Sequence, residues 1–468
     1  MSGKLKNTVI KGVTIESIGA EGKCIARHEN RVIFVDKVAP GDVADIKIVK
    51  KKKNFLTGIP VKIVRYSEHR TTPFCEHFGV CGGCKWQHID YETQLYYKRQ
   101  QVIDNLERIA KVTLPEINPI IPAADTRHYR NKLEFTFSNK RWLTHDEIKT
   151  ATPLDKNGLG FHMPGRYDKV ININKCHLQD DISNRIRLAI LHYAKEKKLV
   201  FYDLLEHQGL LRNLIIRLSN QKEVMAIVQF ARNEKENIEN LLEHVKNRFP
   251  EITSLQYMIN EKRNETYQDL QIICYAGQPY ITEEMGGLKF RIGPKSFFQT
   301  NSDQALKLYR IASRYAGLTG DETVYDLYTG TGTIANFVAR QAKKVIGLEY
   351  VEDAVEDAKV NSSINQITNT RFYAGDIKNL LNEDFIATHT APDVVITDPP
   401  RAGMHHHVVD TLLKVGAPKI VYISCNPATQ ARDIGILSAR YDVLKVQPVD
   451  MFPQTYHVEC VILLELRK

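Results

Sequence analysis

The spacing of hydrophobic and polar positions changes character three times along this chain. From Val9 to Val64 the apolar residues fall in short β-rich runs, VTIESI, RVIFVDKV, VADIKIVK and IPVKIV, broken at Gly19, Gly22, Pro40-Gly41 and Gly58. Strands so spaced predict a small closed β-barrel over residues 1–67. The stretch YETQLYYKRQQVIDNLERIA (91–110) sets Leu95, Val102, Ile103 and Leu106 on one side of a helix. Between about 125 and 290 the runs YRNKLEFTFS, LRNLIIRLS, VMAIVQFA and SLQYMIN alternate with charged loops, which predicts a central α+β region spanning 68–290. After residue 300, helical SDQALKLYRIASRYAG, TIANFVARQA and EDAVEDAKVNSS alternate with the strand runs TVYDLY, KVIGLEY, RFYAGD, DVVITD and KIVYISC. Buried strands alternating with helices predict an α/β, Rossmann-like doubly wound sheet over 291–468, ending in the β-rich YDVLKVQPVDMF and HVECVILLELR.

A length of 468 residues suits about three domains. With 43% hydrophobic and 25% charged residues, the composition is that of a globular chain and excludes disorder and fibrous repeats. No apolar run reaches the ~18 residues of a membrane span, and MSGKLKNTVI lacks the apolar stretch of a leader. A cytoplasmic enzyme without a membrane or an obligate protein partner is the expectation. The net charge of +9 is unevenly placed: residues 1–70 carry 15 Lys and Arg against 7 Asp and Glu. Its densest run, Lys50 to Lys53, is either a solvated face or a surface that tracks a polyanion backbone.

The motifs of the last third converge on one sheet edge. VYDLYTGTGTIANF places Asp326 at a strand end and Gly330 and Gly332 in the turn into a helix, where backbone can approach a nucleotide or nucleoside closely. Glu349 ends the next strand, suited to ribose hydroxyls, and Asp376 the one after, suited to an adenine edge. Asp398-Pro399-Pro400-Arg401 follows an apolar strand, and its two prolines make a stiff lip without amide hydrogens. Amino-methyltransferases carry a similar turn followed by an aromatic residue; Arg401 argues against amine chemistry. Cys425 stands at the end of KIVYISC before a helix, where thiolate is favoured. In FPQTYHVECVILLEL, strand period puts His457 and Glu459 on one face and Cys460 on the other. Glu459 is therefore the candidate base, His457 its alternative, and Cys460 a core residue.

Taken in order, SFFQTN, DLYTGTG, GLE, GD, DPPR, SCNP and FPQTYHVE resemble the RNA 5-methyluridine methyltransferase family over residues ~295–468. The resemblance implies S-adenosylmethionine contacts at Gln299, Tyr328, Glu349 and Asp398, with Asp376 toward adenine, which adds to the cofactor role that the turn itself gives Gly330. It further implies Cys425 as nucleophile, Glu459 as proton acceptor and Phe297 as the aromatic that holds the target base. Thr329 and Phe298 depart from the family's usual residues; the first leaves the chemistry alone and the second is expected to alter base packing slightly. The chemistry needs such a set, because C5 of uracil is too weak a nucleophile until a thiolate adds at C6. The N-terminal IESIGAEGKCIAR…RVIFVDKVAPGDVADIKIVKKKKNF likewise resembles the TRAM domain, an RNA-binding module, over roughly 5–67.

Three of the eight cysteines crowd together: Cys75, Cys81 and Cys84 in FCEHFGVCGGCKWQH, with Cys176 the fourth candidate ligand. Four thiolates serve zinc or an iron–sulfur cluster, and an unequal triplet with a remote partner tilts the choice to iron–sulfur. The same segment resembles the 4Fe-4S site of the family's ribosomal-RNA branch, which together with the barrel implies 23S ribosomal RNA as partner, with a transfer-RNA uridine as the alternative because related cluster-bearing proteins modify transfer RNA. His77, His88 and His177 flank the set without completing it, and three consecutive histidines, His405 to His407, cannot converge on one ion from a helix. Two rival readings are a non-catalytic RNA-binding factor and a nicotinamide-dependent oxidoreductase; the second has no use for DPPR or SCNP.

Overall fold

The computed structural model describes residues 7–150 and 154–468. The segment MSGKLK of the expected barrel domain lies outside the described residues. Strands β1 (Val9–Ile18), β2 (Cys24–His28), β3 (Arg31–Val35), β4 (Val43–Lys51) and β5 (Phe55–Arg65) form a closed barrel in the order β1-β2-β3-β5-β4. Ala44, Ile46 and Ile48 alternate into its core, as a period of two requires. The strand that the apolar runs do not announce is β2, CIARH, which is short and half polar. Asp42, wholly buried, pins the barrel exit by accepting from the Arg70 guanidinium and from the amides of Ala39 and Ser67.

The central region is a seven-stranded sheet of β6 (Lys132–Ser138), β7 (Gly158–Met163), β8 (Arg166–Asn172), β9 (Leu211–Leu218), β10 (Val224–Phe230), β11 (Ile252–Ile259) and β12 (Ile272–Gly277). Helices Asp181–Glu196 and Lys235–Arg248 cover it, burying Ile186, Ile190, Leu241 and Val245. The expected boundary at 290 falls inside a hairpin, β13 (Ile281–Met285) and β14 (Leu288–Ile292). Its Met285, Leu288 and Phe290 share a core with Leu308, Val324 and Val338, so the hairpin packs with the C-terminal sheet.

That sheet comprises β15 (Thr323–Leu327), β16 (Lys344–Glu349), β17 (Thr370–Ala374), β18 (Val394–Thr397), β19 (Lys419–Ser424), β20 (Tyr441–Val449) and β21 (Glu459–Leu466), ordered β17-β16-β15-β18-β19-β21-β20. Strands β15 to β19 run parallel, and β21 inserts antiparallel between β19 and β20. The direction of strand succession reverses between β15 and β18, the place where open α/β sheets leave a ligand crevice. The helix expected over 91–110 is α-helical for Tyr91–Asn105 and then widens to a π turn at Leu106–Ala110. It belongs to the C-terminal part rather than to the central sheet, since Val102 and Leu106 pack with Ile434 and Leu437.

Candidate functional site

The crevice is built by strand ends that the parallel register brings level. Leu327 pairs with Leu348 and with Thr397, so Tyr328, Glu349 and Asp398 leave their strands side by side. Tyr328 has φ 63, a left-handed conformation rare for a bulky side chain and common where a backbone is held for a ligand. Gly330 (φ 56) and Gly332 (φ 74) continue the sharp turn into helix Thr333–Ala339. Glu349 braces that turn, accepting from the amides of Gly330 (3.0 Å) and Val351 (3.0 Å). Asp326 is buried below it and accepts from Thr329 Oγ1 at 2.5 Å, while its Oδ1 makes no hydrogen bond of ordinary geometry. Burial raises the Asp326 carboxyl to about 7, with the neighbouring Asp398 adding to the rise. Asp398 also reaches about 7 through burial, opposed by Gln299, whose Nε2 donates to Asp398 Oδ2 at 3.3 Å. Asp376 caps the short helix Ile377–Leu380 and pairs with Lys378 Nζ at 3.0 Å, which holds its carboxyl below the ordinary range. A left-handed turn, an orphaned buried oxygen and acids on three successive strand ends fit a nucleoside carrying a positive charge.

Across the crevice, Ser424 of β19 pairs with Cys460 of β21. That pair ends the ladder, so Cys425 and Glu459 are the next residues on the two segments, and the Glu459 charge acts on the Cys425 thiol. Burial pushes the Cys425 thiol up to about 12, Glu459 and Asp398 add to it, and Arg401 opposes through its charge and a hydrogen bond to the thiol. The backbone of Arg401 is tied to the same place, because its carbonyl accepts from Asn426 Nδ2 (2.9 Å) and Thr429 Oγ1 (3.1 Å). Glu459 is 2% exposed, and burial beside Asp398 raises its carboxyl well above the usual value. Strand β21 begins at Glu459, so His457 lies in the loop just before it, and the Arg401 charge acts on both side chains. Burial and nearby cations lower the His457 imidazole to about 4, leaving it neutral. Cys460 is in the core. Phe297 is 68% exposed, whereas Phe298 is buried beside Phe290. Arg401, whose charge acts on the Cys425 thiol, is the residue at this site that spacing alone does not assign; its signal is its place in DPPR.

Cys75, Cys81, Cys84 and Cys176 line one cavity of about 380 Å³. Burial raises all four thiols, to about 11 for Cys81 and about 12 for Cys84. Each sulfur also meets a chain donor: amides for Cys75, Cys81 and Cys176, and Gln87 for Cys84. Among the described residues no group of three or more His, Cys, Asp or Glu closes on a single ion. Arg187, fully buried, has Nε and Nη1 without partners, and Cys176 is the acid group that acts on its charge. His77 Nε2 accepts from the Asn174 amide and His88 bonds the Val38 carbonyl, so both have structural partners.

Residues 278–467 match the family model described as tRNA (uracil-5-)-methyltransferase, and residues 9–61 match the TRAM domain. A Bacteroides thetaiotaomicron protein described as an uncharacterized RNA methyltransferase is 57% identical, over 96% of this chain and 100% of that protein. A Porphyromonas gingivalis protein of the same description is 55% identical, over 96% of this chain and 98% of its own length. Among solved structures, the Pyrococcus abyssi tRNA (uracil-54, C5)-methyltransferase in complex with S-adenosyl-L-homocysteine superposes with a TM-score of 0.75 at 27% identity, covering 97% of this chain and 100% of that one. No helix among the described residues is long and apolar enough to cross a membrane.

Proposed function

We propose, from the premise that this chain belongs to the RNA uracil-5-methyltransferase family, that it methylates C5 of a specific uridine in 23S ribosomal RNA through a covalent adduct with Cys425. What supports the mechanism is the β19–β21 register, whose last pair, Ser424 with Cys460, leaves Cys425 and Glu459 as the next residues, together with the charges of Glu459, Asp398 and Arg401 that act on the Cys425 thiol. S-adenosylmethionine, when bound, supplies an electrophilic methyl group. Tyr328, Gly330, Glu349 and Asp376, with Gln299 and Asp398, would hold it. Phe297 covers a uridine turned out of its stack. Burial keeps Cys425 a thiol at rest, raised to about 12, and Arg401 offsets the cost of giving up its proton to solvent; the thiolate then adds to C6, forming the S–C bond and moving the electron pair to C5, which takes the methyl group from the sulfonium and releases S-adenosylhomocysteine. Glu459 then removes the C5 proton, the C5–C6 double bond reforms and the thiolate leaves. A buried carboxylate with a raised pKa is the stronger base for that step.

For the cysteine cavity we infer a 4Fe-4S cluster held by Cys75, Cys81, Cys84 and Cys176. A tetrahedral zinc with bonds of about 2.3 Å needs its sulfurs drawn tightly together; four sulfurs that line one cavity of about 380 Å³ without three or more closing on a single ion would suit a larger cluster, which the four thiolates would hold. The donors at each sulfur, with the charge of buried Arg187 acting on Cys176, favour an anionic occupant. Its place is structural, joining the segment around Cys75–Cys84 to Cys176, since methyl transfer uses no electrons from it.

Turnover of labelled methyl donor on RNA from cells lacking the protein tests the reading. Cys425→Ala is expected to abolish transfer and retain cofactor binding, and full turnover in that variant sinks the mechanism. Glu459→Gln is expected to accumulate a denaturant-resistant protein–RNA adduct. A transfer-RNA uridine is the second reading, favoured by the Pyrococcus neighbour; mass mapping of 5-methyluridine in both RNA classes decides between them.

A further inference from the structure

The loop between β20 and β21, residues 450–458, is fastened from below by the segment that carries three of the cavity cysteines. The Gln454 carbonyl accepts from the amides of Lys85 (2.9 Å) and Trp86 (3.1 Å), the two residues directly after Cys84. The Gln454 amide donates to Gln94 Oε1 at 3.0 Å, and Gln94 Nε2 returns a bond to Gln454 Oε1 at 3.1 Å. Gln94 Nε2 also lies within reach of the carbonyls of Trp86 (3.1 Å) and Ile89 (2.9 Å), so one side chain holds both segments. Both glutamines are buried, and Gln454 is kept at φ 68, a conformation a non-glycine residue holds only where its surroundings enforce it. The loop is stiff beyond this point: Thr455 Oγ1 donates to the Phe452 carbonyl at 2.8 Å, and the His457 amide donates back to Thr455 Oγ1 at 3.3 Å. The barrel closes on the same place, since Trp86 Nε1 donates to the Gly22 carbonyl (3.2 Å) and a Cβ at Gly22 would come within 2.7 Å of Tyr456.

We propose that Gln94 and Gln454 form a positioning joint through which the cysteine-bearing segment 75–88 sets the placement of Glu459 for proton removal. The proposal rests on the reading of Glu459 as the base. A braced loop transmits displacement instead of absorbing it, so loosening the joint shifts the first residue of β21 against C5 while leaving the cofactor's strand ends untouched. Misplacement of a catalytic group by about 1 Å costs on the order of 100-fold in rate. The cysteine cavity thereby acts on chemistry without touching the substrate.

The test uses the full chain, S-adenosylmethionine, and 23S ribosomal RNA and transfer RNA purified from a strain lacking the protein. Gln94→Met, of equal length but without hydrogen bonds, is expected to lower kcat about tenfold or more, leave the KM for S-adenosylmethionine within twofold, and accumulate the same denaturant-resistant adduct as Glu459→Gln although Glu459 is intact. Gln454→Asn keeps a residue tolerant of the left-handed backbone and the carbonyl that takes both amides; it is expected to show a smaller form of the same signature. If Gln94→Met is not recovered folded, Gln454→Asn decides by the same criteria. Hydrogen exchange of residues 450–457 is expected to quicken in Cys84→Ser. Turnover within twofold of the parent, or lost turnover without adduct, overturns the joint. Adduct in Glu459→Gln but in neither glutamine variant leaves the base reading standing and removes the joint. Absence of adduct in Glu459→Gln itself removes the base reading.

Discussion

Asp326 sits fully buried at the end of β15 with one oxygen bonded to Thr329 and the other orphaned. Its carboxyl, raised to about 7 chiefly by burial, stays protonated in the fold at pH values where the unfolded chain, near 3.9, is already ionised. The folded state therefore binds the extra proton. The stability this group contributes is complete below about pH 4 and is lost as pH rises toward 7. Cofactor-free protein is expected to lose about 2 kcal/mol between pH 5.5 and 8 from this residue, and Asp326→Asn to flatten that dependence in urea denaturation at the two pH values. An unchanged slope in the variant places the titration elsewhere. Arg401 makes a second case at this scale. It is the cation that opposes the rise of the Cys425 thiol, and a charge-assisted hydrogen bond contributes roughly 1.5–3 kcal/mol. Discounted for solvent screening, Arg401→Gln is expected to slow iodoacetamide alkylation of Cys425 by about three- to tenfold at pH 8, with Arg401→Lys between; equal rates would show that the guanidinium does not act on the thiol.

The helix Tyr91–Asn105 shows what element-level reading captures and what it misses. Its apolar positions Val102 and Leu106 are legible as a buried stripe, and both are buried. The same helix buries Gln94 and Lys98, which a hydrophobic pattern assigns to solvent. Lys98 Nζ meets Asp450 Oδ1 at 2.5 Å, both side chains wholly buried, and also donates to the Phe452 carbonyl at 2.9 Å. Partners 352 residues apart leave no local signal. Breaking such a pair from one side leaves an uncompensated charge and costs about 3–5 kcal/mol. Lys98→Met is expected to lower the denaturation midpoint accordingly, and Lys98→Met with Asp450→Asn to recover much of the loss; equal stability of single and double variants would place the cost in packing. The crevice strands β15, β16, β18 and β19 are legible because each is a continuous apolar run ending in a turn or an acid, so Glu349, Asp398 and Cys425 can be placed on one edge. Strand β2 is not, being short and half polar, and neither is the start of β21 at Glu459, which nothing in YHVEC marks.

At the scale of the whole molecule, charge and geometry divide the work of holding RNA. The basic excess lies in the first 70 residues, and the crevice is rich in buried acids. A polyanion is thus attracted at the barrel, while the crevice favours a cationic cofactor and a single neutral base. Trp86 and Tyr456 lock the barrel against the loop beside Glu459, so RNA held on the barrel is held in fixed relation to the thiol. Lys52 and Lys53, exposed between β4 and β5, are suited to phosphate contact. Each contact with a single-stranded backbone adds about 0.7 to the slope of log affinity against log salt. Replacing both by Gln is expected to lower that slope by about 1–1.5, to raise the KM for RNA at 150 mM salt several-fold, and to leave kcat and the KM for S-adenosylmethionine unchanged. A salt slope equal to the parent's would move the RNA path off this side of the barrel. A fall in kcat would mean instead that the barrel does more than attract the backbone, and that its lock on the loop before Glu459 responds to the RNA it holds.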